Sequence, residues 1–583
     1  MHEAASAHVR SALIGRLVGV MLSRISERDV RATGLLLCAA CVAYFYLLDR
    51  FVFSSTHFSP VFRALLTRYD LHAAWLALAI CMLAGLWKRP APILRLIDFV
   101  GQHPIGVALT TVGALAISAQ VVYHDYPLSM DEYAAVFQSK VFASGTVAAQ
   151  VPPDLVDWLV VRGFNGTFLI GSPQTGRVIE AYWPGFALLL TPFQFLSIPW
   201  LCNASLSGLS VWLIYWITRE ITGETRAAGW AMLFALASGA FLANGISYYS
   251  MQAHLAANLV FVALLLRPSK YRACAAGLIG SLALILHNPV PHALFAIPWI
   301  GALALQSDRR RYLLPLVAGY LPGLVIGIGW LLYRAQIGLG SPDFAAIGGA
   351  AAGVFAWPNA MLLNARVAAL VKMCVWAMPS LFALTLLGAF LRRADSRVRL
   401  LIFSATLTFV AYVFVRFDQG HGWGYRYFHS AWGVVPILAG CALADRPQID
   451  GRLISFAGAS AILSLLFLIP FQMRQIDQFI TQHLAQLSPP KRPGNNVYFI
   501  HPLGGFYVAD LIQFDPLFRN RDLLLVSHGE ALDSQLIQRN WPDAVKVSGN
   551  HAADQWYLGI QDRRQTIPGG KDERQFVIAH IPR

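Results

Sequence analysis

The chain has 583 residues, 56% of them hydrophobic and 13% charged, with a mean hydropathy of +0.52 and a formal net charge of +14. A soluble chain carries roughly a quarter charged residues, so this composition excludes a soluble globular enzyme. The positive excess is a topology signal in a membrane protein and no evidence for nucleic-acid binding. The seven cysteines all lie in or at the ends of apolar segments, which argues against a disulfide framework and against a cysteine zinc site.

Residues 1–32 are polar and basic and read as a cytoplasmic tail. The apolar run after them is too long for a signal-peptide core and reads as an uncleaved span. Runs of bilayer-crossing length are expected at about 33–53, 72–88, 104–123, 202–218, 226–244, 252–267, 272–287, 290–305, 312–333, 366–391, 399–416, 428–444 and 453–471. That is an all-α polytopic membrane protein of about thirteen transmembrane helices. His287-Asn-Pro-Val-Pro-His292 fits either a turn or a broken helix, so 290–305 is open as a separate span. Lys and Arg crowd the loops that face one side, as in Arg309-Arg310-Arg311 and Arg392-Arg393. The short loops of the other side carry Arg63, Arg68, Arg334, Arg416 and Arg426. The positive-inside rule then puts the N-terminus in the cytoplasm and the C-terminal region outside.

Three outside loops hold the informative residues. The first, 124–201, opens with Ser129-Met-Asp131-Glu132, followed by an amphipathic helical pattern to Ser144-Gly145. Two readings of this carboxylate pair compete. Ser129-x-x-Glu132 is a capping box with acids in the first helical turn; alternatively, a carboxylate at a membrane boundary serves as general base on a substrate half in lipid. Later in the loop come Asp154, Asp157 and the segment Glu180-Ala-Tyr182-Trp-Pro184-Gly185. The apolar run after Pro184 is too short to span and suits an interfacial or re-entrant helix. The second loop, 334–365, is rich in Gly and Ala and fits a lid or a plain loop. The third, Arg416 to His429, packs aromatics and glycines around His421, Tyr425 and Arg426. Interfacial aromatics are ordinary, whereas an Arg at the outer mouth of a helix suits a phosphate. After residue 471 the chain becomes charged and Pro/Gly-punctuated. Short runs at 497–500, 523–526, 556–560 and 576–581 read as strands of a small soluble α/β domain spanning 472–583. That domain has no nucleotide-binding glycine loop, Gly-x-Ser-x-Gly or His-Glu-x-x-His, and is expected to be structural or acceptor-facing.

The order of these features resembles the GT-C superfamily of membrane glycosyltransferases, in particular the branch of protein O-mannosyltransferases and aminoarabinose transferases. The likeness rests on Asp131-Glu132 just after a span, on Tyr182-Trp-Pro184-Gly185, on Thr218-Arg219-Glu220-Ile-Thr-Gly223 at the inner end of a span, and on Gly422-Trp-Gly424-Tyr425-Arg426-Tyr427 near the last spans. It covers about residues 104–445 within a core of 104–471. Two extra helices in 33–103 precede that core, and Tyr-Trp-Pro-Gly stands where relatives carry a Pro-Pro element. The resemblance implies an inverting transfer from a polyprenyl-phosphate sugar to a glycan or lipid acceptor. Asp131 is then the base and Arg426 the first choice for the leaving phosphate, with Arg366 and Lys372 as alternatives. Tyr425, His421, Glu180, Tyr182 and His254 are further substrate-site candidates. Glu132, Asp154, Asp157 and Glu180 are candidate oxygen ligands should a divalent cation, Mg or Mn, be used. For His254, His287 and His292, ordinary hydrogen-bonded roles weigh more than catalysis. The basic inner face suits a bacterial inner membrane with a periplasmic site. An envelope glycan is favoured as acceptor over protein. A lipid transporter is the alternative of another class, and internal repeats or mid-membrane charges would mark it.

Overall fold

The computed structural model describes residues 27–52, 63–339, 354–417, 419–420, 422–444, 451–491, 493–502 and 508–548. The body is a bundle of apolar helices. Helix α1 (Glu27–Leu47) packs on α2 (Leu71–Ala84), followed by α3 (Pro90–Gln102) and α4 (Pro104–Val121). Helix α3, between two predicted spans, is amphipathic and lies against the Arg226 end of the bundle through an Asp98–Arg226 ion pair at 2.8 Å. Two elements of the first long loop come next, α5 (Met130–Ala143) and α6 (Gly185–Phe195). The bundle continues with α7 (Leu201–Thr222), α8 (Thr225–Leu236), α9 (Gly239–Ile246), α10 (Met251–Leu266), α11 (Lys270–Ile285), α12 (Val290–Leu305) and α13 (Leu313–Leu339). It closes with α14 (Ala360–Val375), α15 (Leu381–Leu391), α16 (Ser396–Val413), α17 (Val434–Ala442), α18 (Gly451–Leu463) and α19 (Ile469–Leu484).

Among the described residues, six helical segments are by themselves long and apolar enough to cross a membrane. Others that read as single spans are broken. The 226–244 run bends by 65° between α8 and α9, and the 366–391 run breaks between α14 and α15 around Pro379. The two breaks dock on each other, with the Ala240 N–H donating to the Trp376 carbonyl at 2.9 Å. Freed backbone at membrane depth is tolerated because it is buried in protein. The chain breaks over residues 286–289: Asn288 Oδ1 accepts from the Val290 N–H at 3.1 Å, and Pro291 sits in the first turn of α12, so 290–305 is a separate helix. Helices α11 and α13 approach closely because Gly277 faces Gly319; a Cβ on Gly277 would lie 2.8 Å from the Gly319 Cα.

The first long loop also holds a small antiparallel sheet, with order β1-β3-β2, built from β1 (Ala149–Gln150), β2 (Leu169–Gly171) and β3 (Arg177–Glu180). The polar, Gly-rich sequence there gives little sign of it beyond Val178 and Ile179. The C-terminal region forms a parallel sheet, order β5-β4-β6, from β4 (Asn496–Ile500), β5 (Leu523–Val526) and β6 (Val545–Ser548), with α20 (Glu530–Asn540) between the last two. The expected strands at 497–500 and 523–526 are present, and those at 556–560 and 576–581 lie outside the described residues. The expected boundary at 471/472 falls inside α19. That helix runs on because Gln472 and Gln475 are buried and donate to the carbonyls of Val375 and Tyr69, both at 3.1 Å.

The C-terminal domain sits directly on α5. Tyr133 donates its hydroxyl to the Phe514 carbonyl at 2.6 Å and accepts from the Phe514 N–H at 2.9 Å. The Phe137 and Phe514 rings lie 5.2 Å apart, and Lys140 pairs with Asp515 at 3.2 Å. Aromatic packing of this kind dominates interface energetics, so the domain is docked rather than tethered.

Candidate active site

The site is built on the turn into α5. His124 and Asp125 adopt left-handed backbone (φ 57° and 49°) and turn the chain after α4. The capping box then forms as the sequence indicates, with the Ser129 N–H donating back to Glu132 at 3.2 Å. Glu132 does more than cap. Its carboxylate accepts from the Tyr123 hydroxyl at 3.0 Å and from the Tyr248 N–H at 2.8 Å, and the side chain is fully buried. It thus ties together the end of α4, the start of α5 and the segment between α9 and α10. Burial pushes its carboxyl up to about 7, against the hydrogen bonds that lower it.

Asp131, one residue earlier, faces differently. Its side chain is 26% exposed and sits between the Tyr182 hydroxyl, which donates to Oδ1, and Arg426, whose Nη1 lies 3.2 Å from Oδ2. Burial alone would raise this carboxyl, but the Arg426 charge outweighs it, with help from Tyr182, and Asp131 stays below its ordinary value. Arg426 is 5% exposed, stacks on the Tyr249 ring at 4.1 Å, and donates through Nη2 to the Gln419 carbonyl. Its Nε is buried with no hydrogen-bond partner among the described residues. The glycines of this loop have a structural reason. Gly422 and Gly424 take φ values of 146° and 71°. A Cβ on Gly424 would lie 2.7 Å from the Ala240 Cβ, at the docked helix breaks. The breaks seat the loop, and the loop aims Arg426 at Asp131.

Arg366 and Lys372 lie behind this loop. Arg366 donates to the carbonyls of Val415 and Phe417 at 2.7 and 2.6 Å, and Lys372 to that of Gly422 at 2.6 Å while it pairs with Asp70 at 3.7 Å. They brace the Arg426 loop. Tyr425 is buried and packs edge-on against Phe409. His421 lies outside the described residues. Glu180, at the end of β3, is buried, and its Oε1 has no hydrogen-bond partner among the described residues; the Arg334 charge acts on it without an ion pair between the two. Asp154 pairs with Arg539 at 3.7 Å on the C-terminal domain, and the Asp157 carbonyl meets His528 at 3.1 Å. The four candidate metal ligands are therefore not brought together. His254 is fully buried, and neither ring nitrogen has a hydrogen-bond partner among the described residues. His287 was not picked out by the sequence as a site residue. Its ring lies 3.9 Å from that of Tyr182, and its carbonyl accepts from the Trp183 N–H at 3.3 Å.

No family model and no curated protein matches the chain. Among solved structures it is similar to a crystal structure of ArnT from Cupriavidus metallidurans bound to undecaprenyl phosphate. Identity is 14% and the TM-score 0.47, over 75% of this chain and 89% of that one. It is also similar to the apo form of the same protein, with 13% identity and a TM-score of 0.45 over 76% and 89%.

Proposed function

We propose that the protein is an inverting GT-C-type glycosyltransferase. In this reading it moves a sugar from a polyprenyl-phosphate carrier to a hydroxyl of a cell-envelope glycan or glycolipid, on the periplasmic face of a bacterial inner membrane. The observation that carries the reading is the Asp131–Arg426 pair, a carboxylate kept ionised by an arginine, partly open, at one end of an apolar helix bundle. The acceptor hydroxyl binds at Asp131 and passes its proton to the carboxylate. Its oxygen bonds to the anomeric carbon as the carbon–oxygen bond to phosphate breaks, and the electron pair leaves with the polyprenyl phosphate. Protonation removes the charge that holds Arg426. The guanidinium is then free to stabilise the leaving phosphate through Nη1, the donor that Asp131 releases. The bundle keeps the lipid tail in the membrane, and a carrier-borne donor needs no nucleotide-binding domain.

Mass spectrometry of envelope glycans and lipid-linked sugars, with and without the protein, tests this. A missing sugar residue together with accumulation of its lipid-linked donor is expected. Unchanged profiles of both overturn the reading.

A further inference from the structure

A cleft of about 550 Å³ lies between the first long loop and the C-terminal domain, and Asp131 does not line it. Volumes of this size are typical of ligand sites. Pro152 and Leu155 of the loop form one wall; Phe518, Trp541 and the polar groups of Asn495, Asn520 and Arg521 form the other. The backbone around it is strained. Asn495 and Phe518 have φ values of 63° and 51°, two of the five left-handed non-glycine residues among those described. An aromatic residue in that region is a genuine outlier, and such outliers gather at ligand sites. The strain has a visible effect. Phe518 is turned so that its backbone N–H bonds to Asp515, while its ring stands 6.1 Å from Phe514, the residue bonded to Tyr133 on α5. The Asn495 N–H donates to the Arg521 carbonyl at 3.0 Å, which holds the two polar rims together. Gly494, at φ 75°, leaves room for the Arg521 stem, since a Cβ there would lie 3.1 Å from the Arg521 Cδ.

We propose that this cleft is a docking site for an oligosaccharide segment of the acceptor. Aromatic rings present flat apolar faces to the C–H side of a sugar ring. Amide and guanidinium groups on the rim suit its hydroxyls. The mixture fits a sugar better than a lipid tail, which would meet unpaired polar groups here. The cleft also spans the two units whose junction carries α5, so a glycan held there lies on the part of the protein that bears Asp131. The assignment of the glycan as acceptor rests on the function proposed above; the binding of carbohydrate does not.

The test uses full-length protein in nanodiscs with soluble hexasaccharides of glucose, mannose and N-acetylglucosamine, and a Ser/Thr-rich peptide as the alternative probe. Saturation-transfer NMR and tryptophan fluorescence read the binding. At least one hexasaccharide is expected to bind one-to-one. Trp541→Ala should weaken it by about tenfold or more and Trp541→Phe by much less, since an aromatic face remains. Asn520→Ala, on the exposed rim, decides the matter if Trp541→Ala fails to fold. Asp131→Asn should bind like the wild type, which separates the cleft from the chemistry. If the wild-type protein changes neither the envelope glycans nor the lipid-linked sugars while hexasaccharide binding holds, the functional reading falls and the cleft stands. The cleft proposal falls if no hexasaccharide binds, if binding ignores both cleft substitutions, or if the peptide binds there instead.

Discussion

Two ion pairs reach the glycine-rich loop, and they differ in one respect that matters. Asp70 and Lys372 are closed in: their side chains are 2% and 7% exposed, and both are engaged by protein, Asp70 by the Trp376 indole N–H at 2.7 Å and Lys372 by the Gly422 carbonyl at 2.6 Å. Asp131 and Arg426 share the same chemistry, but the Asp131 carboxylate is 26% exposed. A closed pair can only hold its neighbours in place, and a buried charge pair is expensive to break. An open pair can exchange one partner for substrate. Exposure of the carboxylate, rather than charge, separates the working pair from the bracing one.

The largest effect tests that distinction directly. Asp131→Asn should lower sugar transfer by about 10³-fold, within the range of a lost general base, with the unfolding midpoint nearly unchanged. Normal transfer by this variant would sink the assignment. Arg426→Ala should cost on the order of 10²–10³ in turnover. Arg426→Lys should recover only part of it, because the ammonium loses the fork and the stacking on Tyr249. Lys372→Met should behave in the opposite way. It strands the Asp70 charge, at a cost of roughly 3–5 kcal/mol in stability, and lowers turnover per folded molecule far less than Arg426→Ala does, since Lys372 reaches the site only through the Gly422 carbonyl. The double variant with Asp70→Asn should regain stability in thermal unfolding. A stable but inactive Lys372→Met would erase the contrast between the pairs.

Smaller effects sharpen it. Tyr182→Phe removes a hydrogen bond to a charged acceptor, so turnover should fall about tenfold. The acid limb of the pH–rate profile should also move up, since that bond helps to hold the Asp131 carboxyl low. The smallest effect belongs to Glu132. Its carboxyl titrates near 4.5 when ordinary and near about 7 in the fold, so between these values the folded state binds the extra proton. Its contribution to stability is therefore present at low pH and is lost as pH rises from about 4.5 to 7. Glu132→Gln should lack that slope in a pH series of unfolding midpoints.

Much was legible in the chain because membrane spans and caps are local. Apolar runs of bilayer length announce helices whatever surrounds them, and Ser129-x-x-Glu132 announces the start of α5 from four adjacent residues. The aromatic-glycine-arginine loop stood out because its glycines and Arg426 lack a purely interfacial reason. The rest depended on which chain segments meet. Nothing near Arg366 or Lys372 in sequence reveals that both turn toward the carbonyls of the 415–422 loop, and nothing near His287 reveals the Tyr182 ring. The breaks at 237–238 and 376–380 looked like continuous spans, since hydropathy does not register a bend whose freed backbone is satisfied by a partner break.

What the sequence by itself determined is therefore the membrane body, the helix that begins at Ser129 and the candidacy of Asp131 and Arg426. Only the tertiary structure decided that Asp131 and Arg426 touch, that Glu132 is a buried strut and that Lys372 is a brace. The physical reason is that cap, hydropathy and glycine signals are set within a few residues. Exposure and pairing, by contrast, are set by contacts hundreds of residues apart, such as the 295-residue separation that the Asp131–Arg426 bond closes.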